Sequence, residues 1–457
     1  MTRKLLFLLA ILPSVLFAQH TIKGTFTPAE EFKFAFLYRV TAETSLFVAN
    51  ANVKKDGTFE IKLDENTIPG TYRLVYAQPQ DEFNFDFFVN NKEDIELKFD
   101  LEKGLTFDKS NENKLYSSYN RSMALVNKSI RNYYSKGKED KRGYAKIFNI
   151  LKDTQSEFEK ASEGMIANHF IKACRPYIPS ELEDVTTFSN NIKSNYFSNI
   201  DFGNKALQDS NFLIKTTIDY VIGFIDQKNP EDASYKENID TIVKAIGNNP
   251  KIKKILLEVL WNQFSVENNE VVANYIGSKY LLSIARANND NELANSIIYF
   301  KNASVGNIAP DFNIEVKDKD DKIKVSKLSK LEGSNNYLIF FWSTTCSHCL
   351  EEIPVLKEFI KSQEKEDIQV VAIALDNDLY RWKDLTYQYP DFLHVFGEGK
   401  WDNPIGDQYN VTGTPSYFVL DKDKKIIAKP EDINDFKTYF EALIEAEKTA
   451  LITEKKE

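Results

Sequence analysis

The stretch that most restricts how this chain can fold lies between Tyr337 and Pro354. Six apolar residues, Tyr337 to Trp342, run into a short polar turn, Ser343-Thr344-Thr345. Cys346-Ser347-His348-Cys349 then opens a segment with helical spacing. An unbroken apolar run of this kind reads as a buried strand. A Cys-x-x-Cys where a strand meets a helix is the sequence form of a dithiol redox centre. The physical reason is the helix N-terminus, whose unpaired N–H groups and partial positive charge favour a thiolate on the first cysteine.

The residues around it extend the pattern. From 302 to 448 strands and helices alternate. Tyr337–Trp342, Ile368–Leu375, Leu393–Phe396, Ser416–Leu420 and Lys425–Ala428 read as strands. Cys346–Lys361, Asn377–Tyr389 and a last segment from about Glu431 to Ala446 read as helices. A hairpin is expected around Lys319-Asp320-Asp321. Such alternation gives a sheet covered by helices, with parallel strands joined by helical crossovers. Residues 449–457 form a polar tail.

The chain before this point has a different character. Over 19–104 apolar residues alternate: Phe32, Phe34, Phe36 and Tyr38; Tyr72, Leu74 and Tyr76; Phe83, Phe85 and Phe87; Ile95, Leu97 and Phe99. Period two marks strands with one buried face, and these aromatics are read as core. Asp56-Gly57 is a hairpin signal, and Pro69-Gly70 is a further turn. About seven short strands suggest an antiparallel β-sandwich. Over 105–301 the spacing becomes three and four, as in Leu115, Tyr119, Met123, Val126 and Ile130, or Ile252, Ile255, Leu256, Val259 and Leu260. That is an all-α region, cut into several helices at Pro176, Pro179 and Asn249-Pro250. His169 and Cys174 lie there without further ligands nearby, and read as a surface histidine and a buried cysteine.

Residues 1–18 resemble a secretory signal peptide. Arg3 and Lys4 begin it, Leu5 to Leu12 form the apolar centre, and cleavage is expected after Ala18. No later segment is apolar enough to span a membrane. Acidic residues outnumber basic ones, 68 to 58, for a net charge of −10, and cleavage removes two of the basic ones. This argues against nucleic acid as a partner, because phosphate binding is driven by clustered Lys and Arg. The chain has only three cysteines, Cys174, Cys346 and Cys349. A large secreted protein with so few folds on its core and keeps one pair for chemistry.

Five features together resemble the thioredoxin superfamily, in particular the secreted thiol–disulfide oxidoreductases of the TlpA/ResA type. They are the opening Val305-Gly306-Asn307-Ile308-Ala309-Pro310-Asp311-Phe312, Trp342 four residues before Cys346, the Cys346–Cys349 pair, Glu352 with Pro354, and Gly413-Thr414-Pro415 before a strand. The resemblance covers roughly the last third of the chain. It gives a multidomain fold: an N-terminal β-sandwich, a central all-α region, and a C-terminal α/β thioredoxin-like domain, an arrangement that resembles secreted proteins of Bacteroidota.

The resemblance implies a role for each residue. Cys346 is the nucleophile, and Cys349, one turn on and more buried, resolves the mixed disulfide. A buried thiol resists deprotonation, so a base is needed. Glu352 is three residues from Cys349 and shares its face, whereas Glu351 points elsewhere and reads as solvated. The Thr414–Pro415 bond is expected to be cis, with the Thr414 backbone turned toward an extended substrate segment. Trp342 is expected beside Cys346, flanking the substrate groove. Pro354 lacks an N–H and should kink the helix. Ser347 and His348 bear on the reduction potential.

The implied protein is a periplasmic enzyme of a Gram-negative envelope, acting as reductant rather than oxidant. Its substrates are protein thiols and disulfides, its partner a membrane electron donor. It needs no cofactor and no metal. A structural zinc site requires four ligands, and one cysteine pair with His20, His169, His348 and His394 elsewhere does not supply them. Two alternatives remain open at this point. A thiol peroxidase shares the fold, but its Pro-x-x-x-Thr-x-x-Cys motif is replaced here by Ile339 and Ser343 at the proline and threonine positions. A secreted binding or scaffold protein with a vestigial redox domain would explain why two-thirds of the chain has no visible chemistry.

Overall fold

A computed structural model describes residues 20–137, 140–226, 231–317, 320, 322–363 and 368–454, with side chains to residue 446. The signal-like segment 1–18 and most of the 319–321 turn lie outside the described residues. The chain divides into two compact units at Val259 and Leu260, inside the helix Pro250–Val266.

The first unit opens with eight strands: β1 (Thr21–Thr27), β2 (Phe34–Val40), β3 (Ser45–Asn52), β4 (Thr58–Lys62), β5 (Gly70–Val75), β6 (Asn84–Val89), β7 (Ile95–Asp100) and β8 (Gly104–Lys109). They form two four-stranded sheets, ordered β4-β1-β7-β8 and β3-β2-β5-β6. One core joins them, with Ile22, Phe59, Ile61, Ile95 and Leu97 from the first and Ala35, Leu37, Tyr72, Leu74 and Phe87 from the second. The expectation of purely antiparallel pairing needs correction, since β1 and β7 run parallel. Between β1 and β7 the chain visits the second sheet twice, through β2 and β3 and again through β5 and β6, with β4 in the first sheet between them, so β7 reaches β1 by a crossover and not by a hairpin.

Two further readings change. Asp56-Gly57 does turn the chain, with Gly57 at φ +80 and Lys54 N–H bonded to the Thr58 carbonyl at 2.8 Å. The strands it joins, β3 and β4, belong to different sheets, so the turn crosses between layers and is no hairpin. Phe34, Phe36 and Tyr38 are only half-buried, while Ala35 and Leu37 enter the core. The larger set of the alternating pair faces outward beside Phe47, which is 57% exposed.

The helix Asn111–Ser135 packs against β6 and β8, and Phe170 of the helix Ala167–Ala173 meets Phe88 of β6 with ring centroids 4.9 Å apart. Asn113, in the helix Asn111–Ser135, accepts from Phe88 N–H and donates to the Phe88 carbonyl, both at 2.8 Å. A side-chain amide thus satisfies an edge-strand peptide as a neighbouring strand would. Cys174, expected to be buried, is exposed at the end of the helix Ala167–Ala173. His169 is exposed and contacts the Asn204 amide at 2.9 Å.

The second unit begins with helical residues that the sequence pattern assigns to the central region: Glu270–Ile276, the π-helical turn Gly277–Leu281, Leu282–Ala287 and Asn291–Asn302. β9 (Asn313–Lys317) and β10 (Ile323–Lys327) form an antiparallel pair. β11 (Asn336–Trp342), β12 (Ile368–Asp376), β13 (Leu393–Glu398), β14 (Ser416–Asp421) and β15 (Ile426–Ala428) form a five-stranded sheet, ordered β13-β12-β11-β14-β15. β11 lies at its centre, parallel to β12 and antiparallel to β14, and all seven of its residues are buried.

Both faces of this sheet are covered. Leu338, Phe340 and Trp342 pack with Ile353, Leu356 and Phe359 of the helix Ser347–Ser362 and with Phe436 and Phe440 of the last helix, Ile433–Glu454. Tyr337, Ile339 and Phe341 face Phe312, Ile314, Leu328 and Tyr409. The Val305–Phe312 opening seals the far edge. Gly306 N–H bonds to the Ile426 carbonyl, Ala309 N–H to that of Lys424, and Ile426 N–H to that of Asn307, each at 2.8 Å.

Candidate active site

The sheet's central strand delivers the dithiol. β11 ends at Trp342, three polar residues turn the chain, and Cys346 is the N-cap of the helix Ser347–Ser362. Cys346 and Cys349 are joined by a disulfide with Cα atoms 5.3 Å apart. Cys346 is half-buried and Cys349 has no exposed surface. The Cys349 N–H donates to Cys346 Sγ at 3.2 Å. A helix N-terminus offers such a donor to a thiolate as readily as to any capping oxygen. Ser347 and His348 are exposed, as is Pro354 inside the helix.

The Thr414–Pro415 bond is cis, and its loop meets the dithiol from β14. The Thr414 carbonyl oxygen lies 3.3 Å from Cys346 Sγ, within reach of a thiol proton when the pair is reduced. Ser416 Oγ donates to the Gly413 carbonyl at 2.7 Å and ties the loop to itself.

Glu351 is exposed, whereas Glu352 is half-buried and accepts a hydrogen bond from the Tyr417 hydroxyl. Tyr417 is 2% exposed, and burial, followed by its bond to Glu352, pushes its phenol far above the ordinary range. It therefore stays protonated and acts as donor. The antiparallel register places Tyr417 opposite Phe340, one strand over from the helix that carries Glu352.

Trp342 departs from expectation. It is 1% exposed and packs in the same cluster as Cys349, with Cys346 against that cluster. It backs the dithiol from the core and presents no face to a groove, because every residue of β11 is buried under a side-chain layer on one face of the sheet or the other.

Two contributors have no counterpart in the motif-based reading. Tyr417 is one. The other is Asp376, the last residue of β12 and 1% exposed. Its Oδ2 accepts from Thr344 N–H at 2.7 Å, the Thr344 hydroxyl at 2.6 Å and the Ser343 hydroxyl at 3.0 Å. Its Oδ1 accepts from Asn377 N–H at 2.8 Å and Asp378 N–H at 3.1 Å. Burial alone would raise this carboxyl, but the donors from Thr344, Asp378 and Asn377 outweigh it and hold it at about 2. A signal was present in the sequence: an acid that ends the apolar run Val370–Leu375 must find partners or leave the core.

Comparisons with known proteins bear on the same region. A family profile described as Thioredoxin-like matches residues 334–426. The thiol-disulfide oxidoreductase ResA of Bacillus cereus is 29% identical over 125 residues, spanning 27% of this chain and 68% of that protein. The ResA of Oceanobacillus iheyensis is 31% identical over 72 residues, spanning 16% of this chain and 37% of that protein. Among solved structures, a thioredoxin-like protein from Bacteroides caccae aligns at 15% identity and a TM-score of 0.39, covering 58% of this chain and 97% of its own. The thioredoxin domain of a thiol-disulfide oxidoreductase from Bacteroides vulgatus aligns at 21% identity and a TM-score of 0.27, covering 31% of this chain and 97% of its own. Among the described residues, no helix is long and apolar enough to cross a membrane.

Proposed function

We propose that this protein, a thiol–disulfide oxidoreductase whose C-terminal domain is thioredoxin-like and similar to ResA, reduces disulfides of secreted proteins in the periplasm. The observation that carries this reading is the half-buried Cys346 at a helix N-terminus, joined to a fully buried Cys349, with Glu352 three residues on. The basic and then apolar N-terminal segment, Arg3 to Leu12, motivates the location.

The steps follow from the two sulfurs' surroundings. The Cys346 thiolate, favoured by the helix N-terminus, attacks a substrate disulfide. A Cys346–substrate disulfide forms, and the first substrate sulfur leaves as a thiolate that takes up a proton. Cys349 passes its proton to Glu352 and attacks Cys346 Sγ. The second substrate sulfur leaves and accepts a proton, and the Cys346–Cys349 disulfide remains. Two electrons have moved to the substrate. Turnover then requires a reductant; in an oxidising compartment this is a membrane protein that passes electrons inward to outward. The Thr414 carbonyl, 3.3 Å from Cys346 Sγ, supports an approach of the substrate sulfur and its flanking backbone along this loop.

A Cys349→Ser variant cannot complete the second attack. Expressed in cells, it should be recovered from the periplasmic fraction carrying partner proteins on Cys346, released by dithiothreitol. Insulin reduction should vanish in a Cys346→Ser variant. Equal insulin turnover by wild type and Cys346→Ser would sink the exchange reading and leave the binding-protein alternative. A reduction potential near about −270 mV fits a reductant, and one near about −120 mV would reverse the direction.

A further inference from the structure

The exchange steps above use no group from β12, yet that strand ends in a buried carboxylate bonded to the turn before Cys346. The parallel register explains the meeting. Trp342 stands opposite Ala374, so two residues further on Thr344 arrives beside Asp376. Ser343 passes the constraint along the chain. Its hydroxyl donates to Asp376 and accepts from Thr345 N–H at 3.3 Å, while its carbonyl accepts from Cys346 N–H at 3.2 Å.

We infer that Asp376 is a positioning residue for the dithiol: by gripping Ser343 and Thr344 it holds the turn that sets Cys346 Sγ against the helix N-terminus. The inference deepens the exchange reading proposed above. Thr344 has no exposed surface, so its N–H and hydroxyl have no water to turn to if the carboxylate goes, whereas the Ser343 hydroxyl keeps the Thr345 hydroxyl at 3.1 Å. Loss of the grip lets the turn relax and draws Cys346 Sγ off the Cys349 N–H. That donor favours the thiolate, so its loss moves the thiol upward.

Two effects of Asp376 have opposite signs, and this makes the idea testable. As a positioner it lowers the Cys346 thiol indirectly. As a nearby anion it would raise that thiol by direct repulsion. The experiment is the pH dependence of iodoacetamide alkylation of the reduced full-length protein, resolved for Cys346 by mass spectrometry. Asp376→Asn presents two N–H donors and one acceptor to a pocket that supplies donors. The expected result is an upward shift of the Cys346 midpoint by about one pH unit, roughly tenfold less thiolate well below it, with the high-pH plateau rate unchanged. Thr344→Val and Ser343→Ala, which each remove one hydroxyl donor and keep the charge, should shift the midpoint the same way by less. An unmoved midpoint in folded Asp376→Asn, or a downward one, overturns the inference. Should Asp376→Asn fail to fold, the two hydroxyl variants decide, and unmoved midpoints in both overturn it. The titration needs no protein substrate, so a wild type inert toward insulin would defeat the exchange reading and leave this result intact.

Discussion

β11 and β2 are both rich in aromatic residues, yet only β11 buries them. Phe340, Phe341 and Trp342 are at most 1% exposed. In β2 the small Ala35 and the aliphatic Leu37 are fully buried, while Phe34, Phe36 and Tyr38 lie half-open on the far side. The difference comes from what covers each sheet. β11 is the centre of five strands with a side-chain layer on both faces, so every position is inside whatever its parity. β2 has its core on one face only, and β3 beside it is an edge strand whose Leu46, Phe47 and Val48 are exposed. Period two reveals that a strand has two faces, and side-chain size does not say which one meets the core.

Truncations put numbers on that contrast. Phe340→Ala removes a ring packed 5.0 Å from Tyr417 in a region with no path to solvent. It should cost about 3–5 kcal/mol and release the dithiol helix with it. All four tryptophans, Trp261, Trp342, Trp382 and Trp401, lie in the second unit, so a urea titration followed by tryptophan fluorescence reads this loss there. A midpoint close to that of wild type would mean the two-sided burial of β11 is illusory. Leu37→Ala should follow, at about 2–5 kcal/mol, read by far-ultraviolet circular dichroism, since the first unit has no tryptophan.

The same contrast explains which parts of the site were legible. Cys349 and Glu352 sit within one helix and Cys346 caps it, so spacing alone fixes shared faces, and Glu352 is distinguished from exposed Glu351 in that way. Thr414-Pro415 was legible only through the resemblance, because nothing local ties a loop more than sixty residues away to the dithiol. Tyr417 and Asp376 depend on strand register: Tyr417 faces Phe340 across an antiparallel pair, and Asp376 meets Thr344 by extension of a parallel one. No single-strand pattern encodes a register. Trp342 lies away from any groove for the same reason that β11 is legible as an apolar run, since a strand buried on both faces leaves no residue for a groove wall. The parallel β1–β7 pairing and the crossing at Asp56-Gly57 were likewise hidden, because both depend on which sheet a strand joins.

Asp376 belongs to the fully covered region, and its stability contribution has a defined pH window. Its carboxyl is held at about 2 in the folded protein, below the model-peptide value. A depressed carboxyl contributes stability above its unfolded value and loses it as pH falls through the folded one. The contribution is on the order of 2 kcal/mol above about pH 4, fading toward pH 2. Urea midpoints between pH 2 and 5 should therefore rise more steeply in wild type than in Asp376→Asn, and the curves should run parallel above pH 5. Identical slopes below pH 4 would place the carboxylate in water and remove it from the buried set.

The smallest effect belongs to the open face of β2. Phe36 has ring neighbours in Phe34 at 4.8 Å and Phe47 at 6.3 Å, and it is half-exposed. Removing it leaves no sealed cavity, because water can enter from the side on which Phe47 already stands. What is lost is a pair of ring contacts and some partly buried area, together about 1 kcal/mol. Phe36→Ala should therefore destabilise the first unit by less than Leu37→Ala, although it deletes the larger side chain. If Phe36→Ala instead costs as much as Leu37→Ala in the same circular dichroism titration, the aromatic face of β2 is covered in solution. The one-sided picture of that sheet would then have to be given up, and with it the contrast with β11.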